Sequence, residues 1–313
     1  MIFLREAFFS FTKKAAREAI DRAMAKFNLN RKDLKYFRTL HSMAFLSLGL
    51  QNSDVMDDDN YKEVSDFLQV KLINPNKSVD DLGISVPQDP YLKIIDQAKI
   101  KNVSLSHEFM RSDEHIQFGF ERLEQIAKGL ERYKKNRALF DFTDMIELYI
   151  DSGPVPKLEV VFVDEAQDLC KLQWRMINKL TENARKVYVS GDDDQAIYNW
   201  AGADVKYFIE LPGEVETLKQ SFRCSSVIQN LSARIINRVK LRRDKKWKGT
   251  KRAGLVQYHA YSDSVNLKDP GSWLVMARTN YMLDEIERDI RLQGMLYKRN
   301  NKLPISAKLL NAV

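Results

Sequence analysis

The chain has 313 residues, with 50 Lys and Arg against 43 Asp and Glu and a formal charge of +7. At 44% hydrophobic and 30% charged residues, it reads as a globular protein, long enough for two ordinary domains or one large one, and not as a disordered or fibrous chain. Its two cysteines build no disulfide framework, and no apolar run nears the roughly 20 residues of a membrane span.

The opening MIFLREAFFSF carries Arg5 and Glu6 and lacks a small-residue cleavage site, so it is no convincing signal peptide. A cytoplasmic setting is expected, the host cytoplasm if the source is viral, with no membrane partner. Charge is unevenly spread. Residues 1–41 hold ten basic and four acidic side chains and residues 237–252 nine and one, around an acidic middle. Such blocks bind nucleic-acid backbones by releasing counterions, or simply solvate a helix face.

In chain order, residues 12–26 predict a helix with an Ala/Ile side, capped by Ser10 or Thr12. A second helix is expected after Thr39, through HSMAFLSL. Residues 50–136 are polar, with helical spacing, and predict a helical insertion. The run LEVVFVDE then predicts a strand ending in two carboxylates, followed by a helix over QDLCKLQWRMINKLTEN and a second strand opening KVYVSGDDDQ. Strand, helix and strand with acids at the strand ends is the pattern of a parallel α/β sheet, whose ligands sit beyond the carboxyl ends of the strands. Further strands are expected at EVETLK, LVQYHAY and SWLVMA, with helices at SSVIQNLSARIINRVKL and NYMLDEIERDIRLQG. The four histidines show no metal-ligand spacing.

VVFVDEAQD (160–168) and SGDDDQAIYNWAGA (190–203) resemble motifs II and III of the UvrD/Rep-type superfamily 1 DNA helicases. The resemblance continues in order. SFTKKAARE (10–18) is similar to motif Ia, TLHSMAF (39–45) to motif Ib, and FDFTDMI (140–146) to the Asp-rich element before motif II. LKQSFRCSSVI (218–228) is similar to motif IV and LVMARTNYMLDEIE (274–287) to segment IVa. The implied fold is α/β: a RecA-like, P-loop NTPase-type parallel sheet. Residues 1–49 and 137–215 would form an incomplete first motor domain, 1A, 50–136 a helical insertion, 1B, and 216–313 the start of a second RecA-like domain, 2A.

By this resemblance Asp164 coordinates Mg2+ and contributes to the ATP site, and Glu165 orients or deprotonates the attacking water. Gln195 senses the γ-phosphate, Arg223 is an arginine finger, and Phe222 stacks on adenine where the family more often has Tyr. Phe11, His41, Tyr198 and Trp200 line a single-stranded DNA track while Thr39 and Ser42 touch phosphates. Outside that context Trp200 and Phe222 read as packing residues, His41 as a loop histidine and Arg223 as a salt-bridge residue.

The sequence also departs from the family. None of its 12 glycines is followed by Lys and then Ser or Thr, so the phosphate-cradling P-loop is missing. Motif Ia starts about ten residues in, which leaves no room for it. Motifs V and VI are absent, and Ala201 stands where the family commonly has Arg. Slow or absent ATP hydrolysis by the chain alone is therefore expected. It reads as an internal piece of an ATP-dependent helicase, moving 3′→5′ on single-stranded DNA and completed by a fragment carrying the P-loop. The alternative is a non-catalytic single-strand-binding or assembly subunit, and a helicase–nuclease fragment ranks below both. Retention of Asp164, Glu165, Gln195 and Arg223 favours the first.

Overall fold

The computed structural model describes residues 5–75, 89–261, 264–267 and 271–299. It divides into two compact units: residues 1–215 with 239–244, and residues 216–238 with 245–313.

The first unit is built on a four-stranded, wholly parallel sheet in the order β2-β1-β3-β4. Its strands are β1 (Glu6–Ser10), β2 (Phe37–Thr39), β3 (Val160–Asp164) and β4 (Lys186–Val189). The register sets Ser10 beside Asp164 and Val163 beside Val189, so the functional motifs leave the sheet at one edge. Helix α1 (Lys13–Phe27) follows β1 at once. The Thr12 hydroxyl accepts from the Ala15 N–H at its start, and Asn28 closes it in the left-handed conformation. Helix α2 (Leu40–Ser47) is capped by Thr39, α7 (Phe142–Ser152) by Asp141, and α8 (Lys171–Thr181) follows β3. Their apolar sides meet Ala7, Phe9, Val161 and Val163 of the sheet in one core that includes Met145, Tyr149, Leu172 and Trp174.

Residues 50–136 are helical where described, in α3 (Asp58–Leu68), α4 (Pro90–Lys101), α5 (Leu105–Arg111) and α6 (Phe120–Arg137). They surround a second core of Met56, Val64, Ile94, Phe109, Leu123, Ile126 and Leu130. A charged cluster joins this layer to the sheet layer. Lys134 of α6 is 7% exposed and reaches Asp141 at 2.6 Å and Asp144 at 2.5 Å, while Lys99 of α4 reaches Asp144 at 2.5 Å and Glu147 at 3.3 Å. The two lysines hold the Asp141 carboxyl below its ordinary range against the opposing effect of burial. The Asp-rich FDFTDMI element is thus the counter-ion set for two lysines from two different helices, α4 and α6.

The first unit continues through α9 (Val205–Ile209). The second contains β5 (Gln220–Ser225), α10 (Ser226–Ile236), β6 (Lys248–Thr250) and α11 (Asn280–Leu292), with β5 and β6 pairing in parallel. Gly249 is required there, because a Cβ at that position would lie 2.7 Å from the Ser226 backbone nitrogen. Three expected strands are not formed. EVETLK has no strand, and pairing begins at Gln220 because Lys219 and Gln220 meet Lys248 through the main chain. LVQYHAY and SWLVMA make no ladder among the described residues, where strand propensity alone does not form a strand. Conversely, β1 and β2 form strands that the sequence pattern did not announce.

Candidate functional site

The site gathers where β3 and β4 end. Asp164 is the last residue of β3, and its Oδ1 accepts from the Ser190 hydroxyl at 2.7 Å. The next residue, Glu165, has φ 54° and ψ 40°, a left-handed conformation uncommon for anything but glycine. That bend throws the Glu165 side chain into solvent and turns the chain into the buried stretch Ala166–Asp168. Strained backbone of this kind persists where surrounding bonds fix it. Here the Ala166 N–H donates to the Ser190 carbonyl and the Ser190 N–H donates to the Val163 carbonyl.

Gln167, 1% exposed, is the connector between the two motif loops. Its Nε2 donates to Glu165 at 2.8 Å and to Asp168 at 3.2 Å, and its Oε1 accepts from the Asp192 N–H at 3.0 Å. Gly191 permits that approach, since a Cβ there would sit 2.6 Å from Gln167 Oε1. Burial, with the Glu165 charge adding to it, pushes the Asp168 carboxyl up to about 7. Sequence reasoning gave Gln167 no role. Its signal was its place between two acids in DEAQD, but only the fold shows the second loop that it holds.

On the 192–195 loop the Asp192 carboxylate accepts from the Asp194 N–H at 3.2 Å and from Gln195 Nε2 at 2.7 Å. Gln195 is exposed and held by this bond. Beyond it, Tyr198 lies 5.9 Å from Phe11 and 6.1 Å from Trp200 between ring centroids. The three aromatics form a run, and Trp200 is 58% exposed. The structure therefore brings Phe11, at the end of β1, to two aromatics nearly 190 residues away.

The motif Ib residues are arranged differently. Thr39 is buried and its hydroxyl accepts from the Ser42 N–H at 3.3 Å, a helix cap. The Ser42 hydroxyl accepts from Arg38 at 3.4 Å. His41 is half-buried, edge-on to Phe142 at 5.7 Å between centroids. Burial and the nearby Lys13 lower its pKa to about 4 against the opposing Asp141, so the ring is neutral at neutral pH. Phe222 and Arg223 belong to the second unit, where both project from β5 into solvent, Phe222 with 78% of its surface exposed.

Chemically, Asp164 and Glu165 offer hard oxygen donors. Among the described residues no three His, Cys, Asp or Glu side chains gather as a metal cage. One or two carboxylates with the remaining positions left to phosphate and water is the way Mg2+ is bound, so the donor set fits that ion. No helix among the described residues is long and apolar enough to cross a membrane.

Comparison with known proteins shows the family. A family model described as the UvrD/REP helicase N-terminal domain matches residues 7–216. A probable DNA helicase II homolog of Rickettsia conorii is 26% identical over 311 residues, covering 90% of this chain and 44% of the relative. Its counterpart in Rickettsia felis is 28% identical over 265 residues, 75% of this chain and 38% of the relative. The ATP-dependent DNA helicase PcrA of Staphylococcus aureus is 26% identical over 249 residues, 72% of this chain and 33% of the relative. The chain thus spans less than half the length of these curated relatives.

Proposed function

Because the chain belongs to the UvrD/REP helicase family through residues 7–216, we propose that it forms the body of an ATP-dependent DNA translocase acting on single-stranded DNA, with 3′→5′ movement. The observation that carries this reading is the Gln167 bridge. It ties the carboxylate-bearing end of β3 to the loop carrying Gln195, beside an exposed aromatic run. In this reading Asp164 would hold Mg2+, which would supply neutralisation of phosphate charge when bound. Glu165 orients or deprotonates the attacking water, Gln195 contacts the terminal phosphate, Arg223 acts as an arginine finger and Phe222 stacks on adenine. Phe11, Tyr198 and Trp200 stack on bases, a sequence-tolerant contact suited to a moving motor. His41 and Ser42 line the same track, with neutral His41 offering a hydrogen bond in place of a charge, while buried Thr39 reaches the phosphates only through Ser42, whose N–H it caps. The domain division we adopt is 1–49 with 137–215, 50–136 and 216–313. A protein of this kind works where DNA is, in the cytoplasm of a bacterial cell or of an infected one.

Residues 1–313 contain no Gly-x-x-x-x-Gly-Lys-Ser/Thr, so we expect them to hydrolyse ATP weakly or not at all until a strand–loop–helix segment supplies the phosphate cradle. Support for such a partner comes from β4. It is one of the sheet's two outer strands among those described, and its Val187 and Tyr188, with Phe162 of the neighbouring β3, stay 43%, 49% and 40% exposed. Parallel sheets ordinarily have both faces covered. The test is DNA-stimulated ATPase of residues 1–313, alone and mixed with a P-loop segment, with binding of a labelled single strand followed against salt. Robust ATPase of the chain alone overturns the expectation of inactivity. Salt-dependent DNA binding that never becomes ATPase, even with the segment bound, selects the non-catalytic binding subunit, which the missing P-loop also favours. A translocation assay with 3′- and 5′-end blocks decides direction.

A further inference from the structure

Three consecutive carboxylates, Asp192, Asp193 and Asp194, precede Gln195, and such a run repels itself unless each acid has a partner. Asp192 binds within the loop, as described above. The other two are met by residues from the basic block at 237–252. The Arg242 guanidinium forks onto Asp194, Nε to Oδ1 at 2.7 Å and Nη2 to Oδ2 at 2.9 Å. The Arg243 N–H donates to Asp193 Oδ2 at 2.7 Å, and the Arg243 side chain donates to the carbonyl of Ile209, the last residue of α9. Arg242 and Asp194 are only 14% and 13% exposed in their side chains. That sets the pair apart from surface ion pairs, which stabilise little. A two-point planar fork onto carboxylate is a geometry that Arg makes and Lys cannot.

The chain path gives the contact its meaning. Residues 239–244 belong to the first unit, whereas the residues before and after them belong to the second. The stretch is therefore a strap laid across the motif III loop, continuous in sequence with α10 and with the Arg223-bearing β5 on one side and with β6 on the other.

We infer that Arg242 is a positioning residue: by clamping Asp194, with Arg243 on Asp193, it fixes the loop that presents Gln195. The inference rests on the reading that Gln195 serves the nucleotide. It also gives part of the basic block a role directed at the protein itself, since two of its nine cations are turned onto motif III acids and a backbone carbonyl.

Backbone hydrogen exchange on the full chain tests the clamp directly. The amides of Gln195 and Ala196 donate to Asp192 and Asp193 carbonyls, and Arg242→Ala should raise their exchange about tenfold or more, the scale of a lost charge-assisted bond. Amides of β3 and α8 should be unchanged. Arg242→Lys should restore part of the protection, and Arg242→Ala combined with Asp194→Asn should exchange no faster than either single variant. Unchanged exchange at 195–196, or an equal rise through β3 and α8, overturns the inference. The second readout is binding of a fluorescent ATP analogue with Mg2+, in the presence of the P-loop segment. If Arg242 acts through Gln195, its substitution weakens binding in wild type but adds nothing to Gln195→Ala, whereas additive losses overturn that route. Failure of the wild-type chain to bind nucleotide sinks the nucleotide reading, while the exchange experiment still decides the clamp.

Discussion

Helix α8 of the first unit and helix α11 of the second are both amphipathic, yet α8 buries six of its eleven residues and α11 buries none. The same contrast holds between β3, whose Val161 and Val163 are sealed, and β5, where Phe222 lies open. Helix α10 likewise buries nothing, and Tyr281 and Met282 of α11 remain largely exposed. A helix draws most of its stability from the layer against its apolar side. In the first unit a four-stranded sheet and a helical insertion supply that layer. In the second, among the described residues, a two-stranded ladder does not. Pattern alone does not make a core; an opposing surface must be present.

The strongest way to break this comparison is the buried charge cluster. Lys134→Met removes the lysine bonded to Asp141 and one of the two bonded to Asp144, and should destabilise the first unit by about 3–5 kcal/mol in urea unfolding. Arg299→Met, which removes the partner of Asp284 and Glu287 in the second unit, should leave the unfolding midpoint unchanged. Equal effects would erase the distinction. Next in size, Leu172→Ala in α8 should cost about 2–5 kcal/mol through transfer and cavity terms. Leu274→Ala, at a largely exposed position of the second unit, should fall within about 0.5 kcal/mol.

Smaller effects sharpen the functional side. Trp200→Ala should weaken single-strand binding by about 1–3 kcal/mol, the range for one stacking aromatic, with the fold intact by circular dichroism. On β4, Tyr188→Lys should leave stability nearly unchanged but abolish binding of an added strand–loop–helix segment; retained binding would move the partner elsewhere.

The pH dependence is the finest probe, because two groups in the first unit act in opposite senses. His41 has a depressed pKa in the folded state, so its contribution is present above its ordinary 6.5 and lost as pH falls towards about 4. Asp168 has a raised pKa, so its contribution is present below its ordinary 3.8 and lost as pH rises through about 7. Urea midpoints at pH 7 and pH 5 should therefore diverge between His41→Gln, which removes the loss on acidification, and Asp168→Asn, which removes the loss on raising pH. Parallel behaviour of the two variants would contradict these assignments.

Much of the site was legible in the residues. An apolar run ending in Asp164 and Glu165, and a second ending in Asp192 to Gln195, pointed to a parallel sheet with its chemistry at the carboxyl ends, and the strands fall there. The elements it concealed have physical reasons. β1 (EAFFS) opens on Glu6 and lacks the β-branched run that marks β3, and β2 is only three residues long, so neither shows a strand pattern. LVQYHAY and SWLVMA carry strong strand propensity but join no ladder among the described residues, and strand propensity measures fit to a pleated, paired surface.

What the sequence determined by itself was therefore local and chemical: the helix-capping Thr12, the carboxylates at strand ends, the absence of a phosphate loop within these residues, and the family resemblance carried by ordered motifs. Tertiary structure alone decided which distant groups meet. It set Asp141 and Asp144 against Lys134 and Lys99, Phe11 against Tyr198, Gln167 between two loops, and Arg242 onto Asp194. The reason is that a charge or an aromatic ring carries no mark of its partner in the linear chain. Its energy is fixed only when folding excludes water and leaves one neighbour within reach.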